Sequence, residues 1–451
     1  MNETERIQRK ETTTLRKLNY SLPRISSSIV LGIEGFALFA LYYLGYGVPS
    51  VLVGLAQAMG FISVAVSQFL FGWISDAKYT KWGRRKPYIL ILAPLLGISF
   101  ICLLLPGLFL PDLTDKNALF IWLLIWDVIF RASYAVTTPY QAWMAEQFPV
   151  GERPKVSQFQ NTMNYIGNAV MLLFTLLILT PAFEDLVVTP DVVPILVLYP
   201  VLIFGILVII FYVSIVFTMP TEPHFKMESS IFSNFVTIIK NKNYWSVILM
   251  QGIASFAWSI ITTVMLTFIQ TVLGLGTVEY YIVAVSLVIG FVVSLYVWRK
   301  RIQNKGKKKS LLSLLLFAML LLPTTLIGLI PFASNIIFGI IFILIIAAAL
   351  AGWNLFPYIY KADLAEDDEK RSGELKAGIY EGFPSIVLNI FQAFGPLIIG
   401  VILSLRDITV GTLTYSLGLV LWGPICSVIL LVAYYFTKKF VKLDFDWEKE
   451  E

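Results

Sequence analysis

Twelve stretches of the chain, each long enough to cross a bilayer as a helix, constrain its folding more than any other feature. A helix rises 1.5 Å per residue, so about 20 predominantly apolar residues cover the ~30 Å of hydrocarbon. Runs of that size occupy 25–46, 50–74, 87–107, 118–141, 159–181, 193–218, 243–272, 277–298, 310–331, 335–360, 377–405 and 412–436. Pro, Gly and short polar clusters separate them. Within lipid every backbone donor and acceptor must be satisfied internally, which leaves helices or closed barrels. The runs are continuous, with no long alternating pattern, and therefore predict helices. With 57% hydrophobic and 14% charged residues, against about 25% charged in a soluble globule, the chain cannot hide its apolar surface in water. The expectation is an all-α integral membrane protein, multi-pass in the cell membrane, with the lipid bilayer as its first partner.

The basic residues set an orientation. With both termini inside, 31 of the 34 Lys and Arg fall in tails and loops on the cytoplasmic side, leaving Lys116 and Arg406 outside and Arg131 within a span. The positive-inside rule then predicts two cytoplasmic tails, 1–24 and 437–451. The longest cytoplasmic connector, 219–242, divides the spans into an N-terminal six-helix bundle (25–218) and a C-terminal one (243–436). Two six-span bundles joined by a cytoplasmic linker are the layout of a secondary transporter, with a site near the midplane between them.

Several chemistries are absent. Cys102 and Cys426 both lie in apolar runs, which argues against a disulfide framework or a thiol-bound metal. The only histidine, His224, lies in the linker, so no histidine proton relay operates within the membrane. The first 23 residues are polar and basic, with no apolar core of a cleavable signal. No metal site, no cofactor and no enzyme are expected. A receptor or a membrane-embedded enzyme is the competing class, but it would need a nucleophile and base at one membrane face.

One loop breaks the apolar pattern. "GWISDAKYTKWGRRKPYI", residues 72–89, holds six charges in eighteen positions between the second and third spans. It resembles the major facilitator signature G-x-x-S/A-D followed by G-R-R/K. Gly72, Ser75–Asp76, Gly83, Arg84, Arg85 and the following Lys-Pro, with Gln68 upstream, are similar to the glycoside–pentoside–hexuronide cation symporters and the related plant sucrose carriers. Three other stretches carry the likeness: "KADLAEDDEKRSGELKAGIYEGF" from residue 361, "NIFQAFGPLIIG" with Asn389 where many members have Lys, and "YIGN" at 165–168. The resemblance implies the major facilitator fold and sugar or glycoside transport by alternating access, by a protein that works as a monomer; a carrier of the same fold for another small solute, such as an organic anion, nucleoside or drug, is the alternative. The basic residues then serve either as solvated anchors or, for Asp76 with Arg84 or Arg85, as a latch that holds the bundles together. Gly72 and Gly83 would allow a close approach and a tight turn. No aromatic-interleaved soluble surface accompanies these cations, so nucleic acid is not a partner.

Ionisable groups in mid-membrane are costly and therefore functional candidates. Glu34 lies near the middle of the first span. The resemblance to melibiose-type carriers, which have an acid in a similar context, implies that it binds sugar hydroxyls. Asp127 and Arg131 in the fourth span are four residues apart on one helix face, where they can pair directly. That pair is either a self-neutralised bridge or a switch in which Arg131 alternates between Asp127 and Glu34 or substrate. Glu34, Asp127 and Arg131 are thus the coupling candidates.

Asn161, Asn164 and Asn168 form a polar stripe in the fifth span, either helix-packing glue or sugar path. Gln251, Trp258 and Gln270 in the seventh, and Trp353, Asn354 and Tyr358 in the tenth, could hold a sugar by its hydroxyls and its apolar face. Glu381 stands near the cytoplasmic end of the eleventh. Where the melibiose pattern implies two sodium-binding acids, this chain has Val64 and Gln68. A hard cation without carboxylate oxygens is poorly held. The coupling ion expected is therefore the proton rather than sodium, with uncoupled facilitation as the alternative.

Overall fold

The structure, a computed structural model, describes residues 12–149, 152–189, 192–221, 242–331, 336–372 and 377–443. Among these, twelve helices are long and apolar enough to cross a membrane. Numbered as spans 1 to 12 they are Thr14–Gly45, Ser50–Ser75, Lys86–Leu104, Lys116–Met144, Lys155–Leu179, Ile195–Thr218, Lys242–Thr271, Val278–Lys305, Lys307–Leu329, Ile336–Phe356, Ser385–Leu403 and Gly418–Phe440. The number of spans and their order match the sequence expectation. Most of linker 219–242 lies outside the described residues.

Span 1 begins eleven residues earlier than its apolar run. Thr13 caps a first helix, Thr14–Ser21, which leads into Pro23–Ala40. The segment is too polar to be read as helix from hydropathy, and it is held by partners far along the chain. Thr12 donates from both its amide and its hydroxyl to Glu152, and Lys17 Nζ stands 3.2 Å from the same carboxylate. These bonds, the Thr12 hydroxyl first, hold the Glu152 carboxyl below the usual carboxylate range. Tyr20 and Tyr140 each donate a hydroxyl to the other's backbone carbonyl, with their rings stacked 4.9 Å apart.

Spans 11 and 12 are joined by a hairpin that hydropathy alone does not announce. Strand β1 (Asp407–Val410) pairs antiparallel with β2 (Leu413–Ser416), and Gly411 turns the chain at φ +64°. The signal is present in "DITVGTLTYS", where β-branched residues flank a glycine. The Tyr415 hydroxyl donates to the carbonyl of Gly328, tying the hairpin to span 9.

The two sets of six spans meet most extensively through spans 2 and 11. The Ser50 hydroxyl donates to the carbonyl of Gly400 at 2.8 Å. A Cβ on Gly54 would lie 2.3 Å from the carbonyl oxygen of Pro396, so only glycine permits this approach. Gln270 of span 7 also donates to the carbonyl of Thr180, beyond span 5, at 3.3 Å. These contacts join span 2 to span 11, and span 7 to the segment after span 5, at the ends of spans 2 and 11 away from the basic loop at 75–86.

Candidate functional site

The densest buried charge lies inside the first six spans. Glu34 is 1% exposed, Asp127 is fully buried and Arg131 is 5% exposed. Arg131 donates from Nη2 (2.7 Å) and from Nε (3.1 Å) to the same oxygen, Oε1 of Glu34. Its guanidinium carbon sits 3.8 Å from the centre of the Phe61 ring, so span 2 supplies a π face to the same cation. Of the two carboxylates expected as partners of Arg131, it is Glu34 that the guanidinium engages here. The helix spacing places Asp127 and Arg131 on one face, but the guanidinium reaches across to span 1, where Glu34 and Phe61 bracket it.

Asp127 lies against the Glu34 carboxyl, close enough for the two acids to share a proton. Its two carboxyl oxygens, with Oε2 of Glu34, meet no N–H or hydroxyl donor among the described residues. Leaving a buried polar atom unpaired costs about 1–3 kcal/mol, so the cluster favours any species that brings donors. Gly60 of span 2 makes room for it: a Cβ there would fall 2.1 Å from Asp127 Oδ2 and 3.1 Å from Arg131 Cγ. One residue along span 1 from Glu34, the position of a Cβ on Gly35 meets no atom within 4 Å, so space opens next to the cluster's helix.

Span 4 is interrupted next to this cluster. The α-helix runs Lys116–Ser133, gives way to a 3₁₀ turn at Tyr134–Val136, and resumes at Thr137–Gln147. Pro139 explains the break, because it offers no N–H to the carbonyl four residues before it and its ring crowds that carbonyl. Mid-helix 3₁₀ turns often mark hinges, and this one begins three residues after Arg131.

The second set of spans contributes different groups. Trp258 and Trp353 stack with centroids 5.6 Å apart and planes at 24°. Both are more than nine-tenths buried, so neither offers an open ring face in this conformation. Gln251 Nε2 and Trp258 Nε1, two turns apart on span 7, are buried donors with no acceptor among the described residues. Asn354 is exposed, and its amide donates to the carbonyl of Leu350 in its own helix. Asn164 of span 5 accepts from the Ser28 hydroxyl of span 1, which is the packing role of the polar stripe. Gln160 donates to the Tyr140 hydroxyl at 2.8 Å. The side chains of Tyr358 and Glu381 lie outside the described residues.

In the loop between spans 2 and 3, Thr80 and Gly83 exchange backbone hydrogen bonds across a tight turn, with Gly83 at φ +94°. Gly72 packs close to Thr138, 3.1 Å from where its Cβ would lie. Arg84 Nη2 (2.7 Å) and Arg85 Nη2 (2.9 Å) both donate to Oε1 of Glu146, just past span 4, and Arg85 Nη1 donates to the Ser75 hydroxyl at 2.8 Å. Lys86 Nζ donates to the carbonyl of Met219 at 2.8 Å. These bonds clamp the ends of spans 2, 3, 4 and 6 to one another, within one set of six. The latch expected of Asp76 with Arg84 or Arg85 belongs to an outward-facing site, and the Asp76 side chain lies outside those described.

Glu146, Phe61 and Gly60 were not picked out by the sequence. Glu146 carried a faint signal, as an acid at the basic-loop end of span 4. Phe61 and Gly60 carried none, since their roles depend on which helices touch.

Twelve spans, the first six of which enclose a buried charge cluster, make this a multi-pass membrane protein. Residues 29–436 match the MFS/sugar transport protein family, and the chain belongs to it. An uncharacterized symporter of Synechocystis sp. is 27% identical over 165 residues, or 36% of this chain; the match spans 30% of that relative's length. Among solved structures, the D-xylose-proton symporter superposes with a TM-score of 0.65 at 16% identity, covering 94% of this chain and 97% of that one. The nucleoside transporter NupG gives 0.61 at 13% identity over 94% and 98%. A bacterial homolog of the human lysosomal transporter Spinster, inward-facing and unoccupied, gives 0.62 at 16% over 97% and 100%. At these identities the likeness establishes the fold.

Proposed function

We propose that the protein is a proton-coupled symporter of a sugar or glycoside. The observation that carries this reading is the buried trio Glu34–Arg131–Asp127, which holds one cation, two carboxyls and three carboxyl oxygens that meet no N–H or hydroxyl donor among the described residues. With a single proton the trio is electrically neutral, so its ground state fits Arg131 paired to Glu34 and a protonated Asp127. Sugar hydroxyls arriving from the Gly35 side would donate to Glu34 and loosen its hold on Arg131. Arg131 could then swing one turn toward Asp127 and expel the proton. The 3₁₀ turn beside Arg131 gives span 4 a place to bend as this happens. Gln251, Trp258 and Trp353 would meet the sugar from the opposite set of spans once the stacked indoles separate.

In this reading two six-helix bundles, 25–218 and 243–436, rock about the site. The closed contacts at Ser50–Gly400 and Gln270–Thr180 form the outward gate. The distribution of Lys and Arg supports both termini facing the cytoplasm. Single cysteines at 305 and 411, in a background lacking Cys102 and Cys426, test this: an impermeant thiol reagent on whole cells should label only the one at 411.

The deciding experiment is uptake into proteoliposomes under an imposed pH gradient, with a panel of labelled sugars, glycosides, nucleosides and organic anions. Wild type should accumulate a sugar when the outside is acidic, and Glu34→Gln should not. Accumulation of a nucleoside or an anion instead, or sugar uptake indifferent to both pH and Glu34, sinks the proposal. Engagement of Arg131 by Glu34 and Phe61 already weighs against an organic anion, which would have to displace both.

A further inference from the structure

The turn between spans 8 and 9 carries Arg299, Lys300, Arg301, Lys305, Lys307, Lys308 and Lys309 within eleven residues, with no acid among them. The helix of span 8 ends at Lys305, Gly306 reverses the chain at φ +81°, and the helix Lys307–Leu321 begins at once. Lys308 Nζ donates to the carbonyl of Lys438 at 3.4 Å, which brings the last turn of span 12, with Lys438 and Lys439, alongside.

Three features distinguish this turn from a run of solvated cations. The first-turn N–H groups of a fifteen-residue helix converge on it, and such a terminus favours anions. Ser310, in that first turn, is fully buried, and its hydroxyl has no partner among the described residues. Arg301 is pre-positioned: Nη2 donates to the Ser313 hydroxyl at 2.7 Å, its guanidinium carbon lies 6.0 Å from the Trp298 ring, and its buried Nε has no partner among the described residues. Trp298 is itself fixed by donating to the carbonyl of Ala348 at 2.9 Å.

A planar guanidinium beside a helix N-terminus matches the oxygens of a phosphate. The depth of the turn points to where that phosphate comes from. Exposed Tyr296, Tyr435 and Phe440 lie within a turn or two of the cations along spans 8 and 12, as aromatic residues do at the bilayer interface. Below them, exposed Val292, Val293 and Val297 offer span 8 as a surface for acyl chains.

We propose that this turn is a binding site for an anionic phospholipid, with the headgroup phosphate held by Arg301, the Lys307–Ser310 helix start and neighbouring lysines. The site is independent of the symport reading, because lipid retention is measured without transport.

The test uses purified full-length protein in mixed phosphatidylcholine–phosphatidylglycerol nanodiscs, with the lipids that stay bound counted by native mass spectrometry. Wild type should retain phosphatidylglycerol in preference to phosphatidylcholine. The double variant Arg301→Gln/Lys309→Gln should lower that retention by about five-fold per charge removed, with melting temperature unchanged, and Ser310→Ala should lower it less. The control Lys78→Gln/Lys81→Gln, which removes two exposed charges from the loop between spans 2 and 3, should leave retention as in wild type. Equal retention of the two lipids by wild type, or equal loss in the control, overturns the proposal. Displacement of the lipid by inorganic phosphate at low concentration would overturn it too, by making the free anion the ligand.

Discussion

Spans 1–6 and spans 7–12 share length and apolarity but differ in what they bury. The first set encloses Glu34, Asp127 and Arg131 at membrane depth. At the same depth the second set, among its described residues, offers Gln251, Trp258 and Trp353. Charges change their pairing when a proton arrives, whereas indoles and amides bind a neutral polyol without responding to it. Under the proposed symport, the difference assigns the response to the proton to the first set, and the second set adds uncharged contacts to a solute that Glu34 also touches.

The largest effect that could break this division is the loss of Arg131. Arg131→Ala leaves two buried carboxyls without a cation, and breaking a buried pair from one side costs about 3–5 kcal/mol. A marked drop in melting temperature in detergent, with loss of all transport, is expected. Arg131→Lys should recover stability in part and coupling poorly, since an ammonium cannot span the Nε–Nη2 fork. If Trp258→Phe proves the more damaging, the asymmetry between the sets is wrong.

Asp127→Asn sharpens the same point with a smaller structural cost. The amide keeps volume and removes the proton-binding oxygen. Solute exchange down equal concentrations should persist while accumulation driven by a pH gradient is lost. Equal loss of exchange and accumulation would place Asp127 in solute binding instead of coupling. Trp353→Phe should do the converse. It weakens the indole stack by about 0.5–1.5 kcal/mol, raising the KM for uptake several-fold while the proton-to-solute ratio stays as in wild type.

Twelve spans were legible because a bilayer imposes one length and one composition on every crossing. Glu34, Asp127 and Arg131 were legible because each is a charge where charge is costly. Which of its two expected partners Arg131 takes was not, since i, i+4 spacing favours Asp127 on its own helix and Glu34 lies 97 residues away. The same limit hid Glu146: the cations of the loop at 72–89 were visible, but the carboxylate they share belongs to span 4. The helix start at Thr14–Ser21 was hidden for a related reason, since its polar side chains are held by Glu152 and Tyr140 rather than by hydropathy.

That helix gives the smallest and most local test of the contrast, because its bonds to Glu152 and Tyr140 lie within the first six spans and their connections. Thr12 and Lys17 hold the Glu152 carboxyl below the usual carboxylate range, so the folded protein favours the ionised form more than the unfolded chain does. The stabilisation is thus complete above the ordinary glutamate value and fades as pH falls through the depressed one. Because the pair is near the surface, solvent screening keeps it below about 1 kcal/mol. The melting-temperature difference between wild type and Glu152→Gln should be small and constant at neutral pH, and should vanish on acidification. A difference that grows as the pH drops would mean that Glu152 is protonated in the folded state, and that Thr12 donates to it for some reason other than its charge.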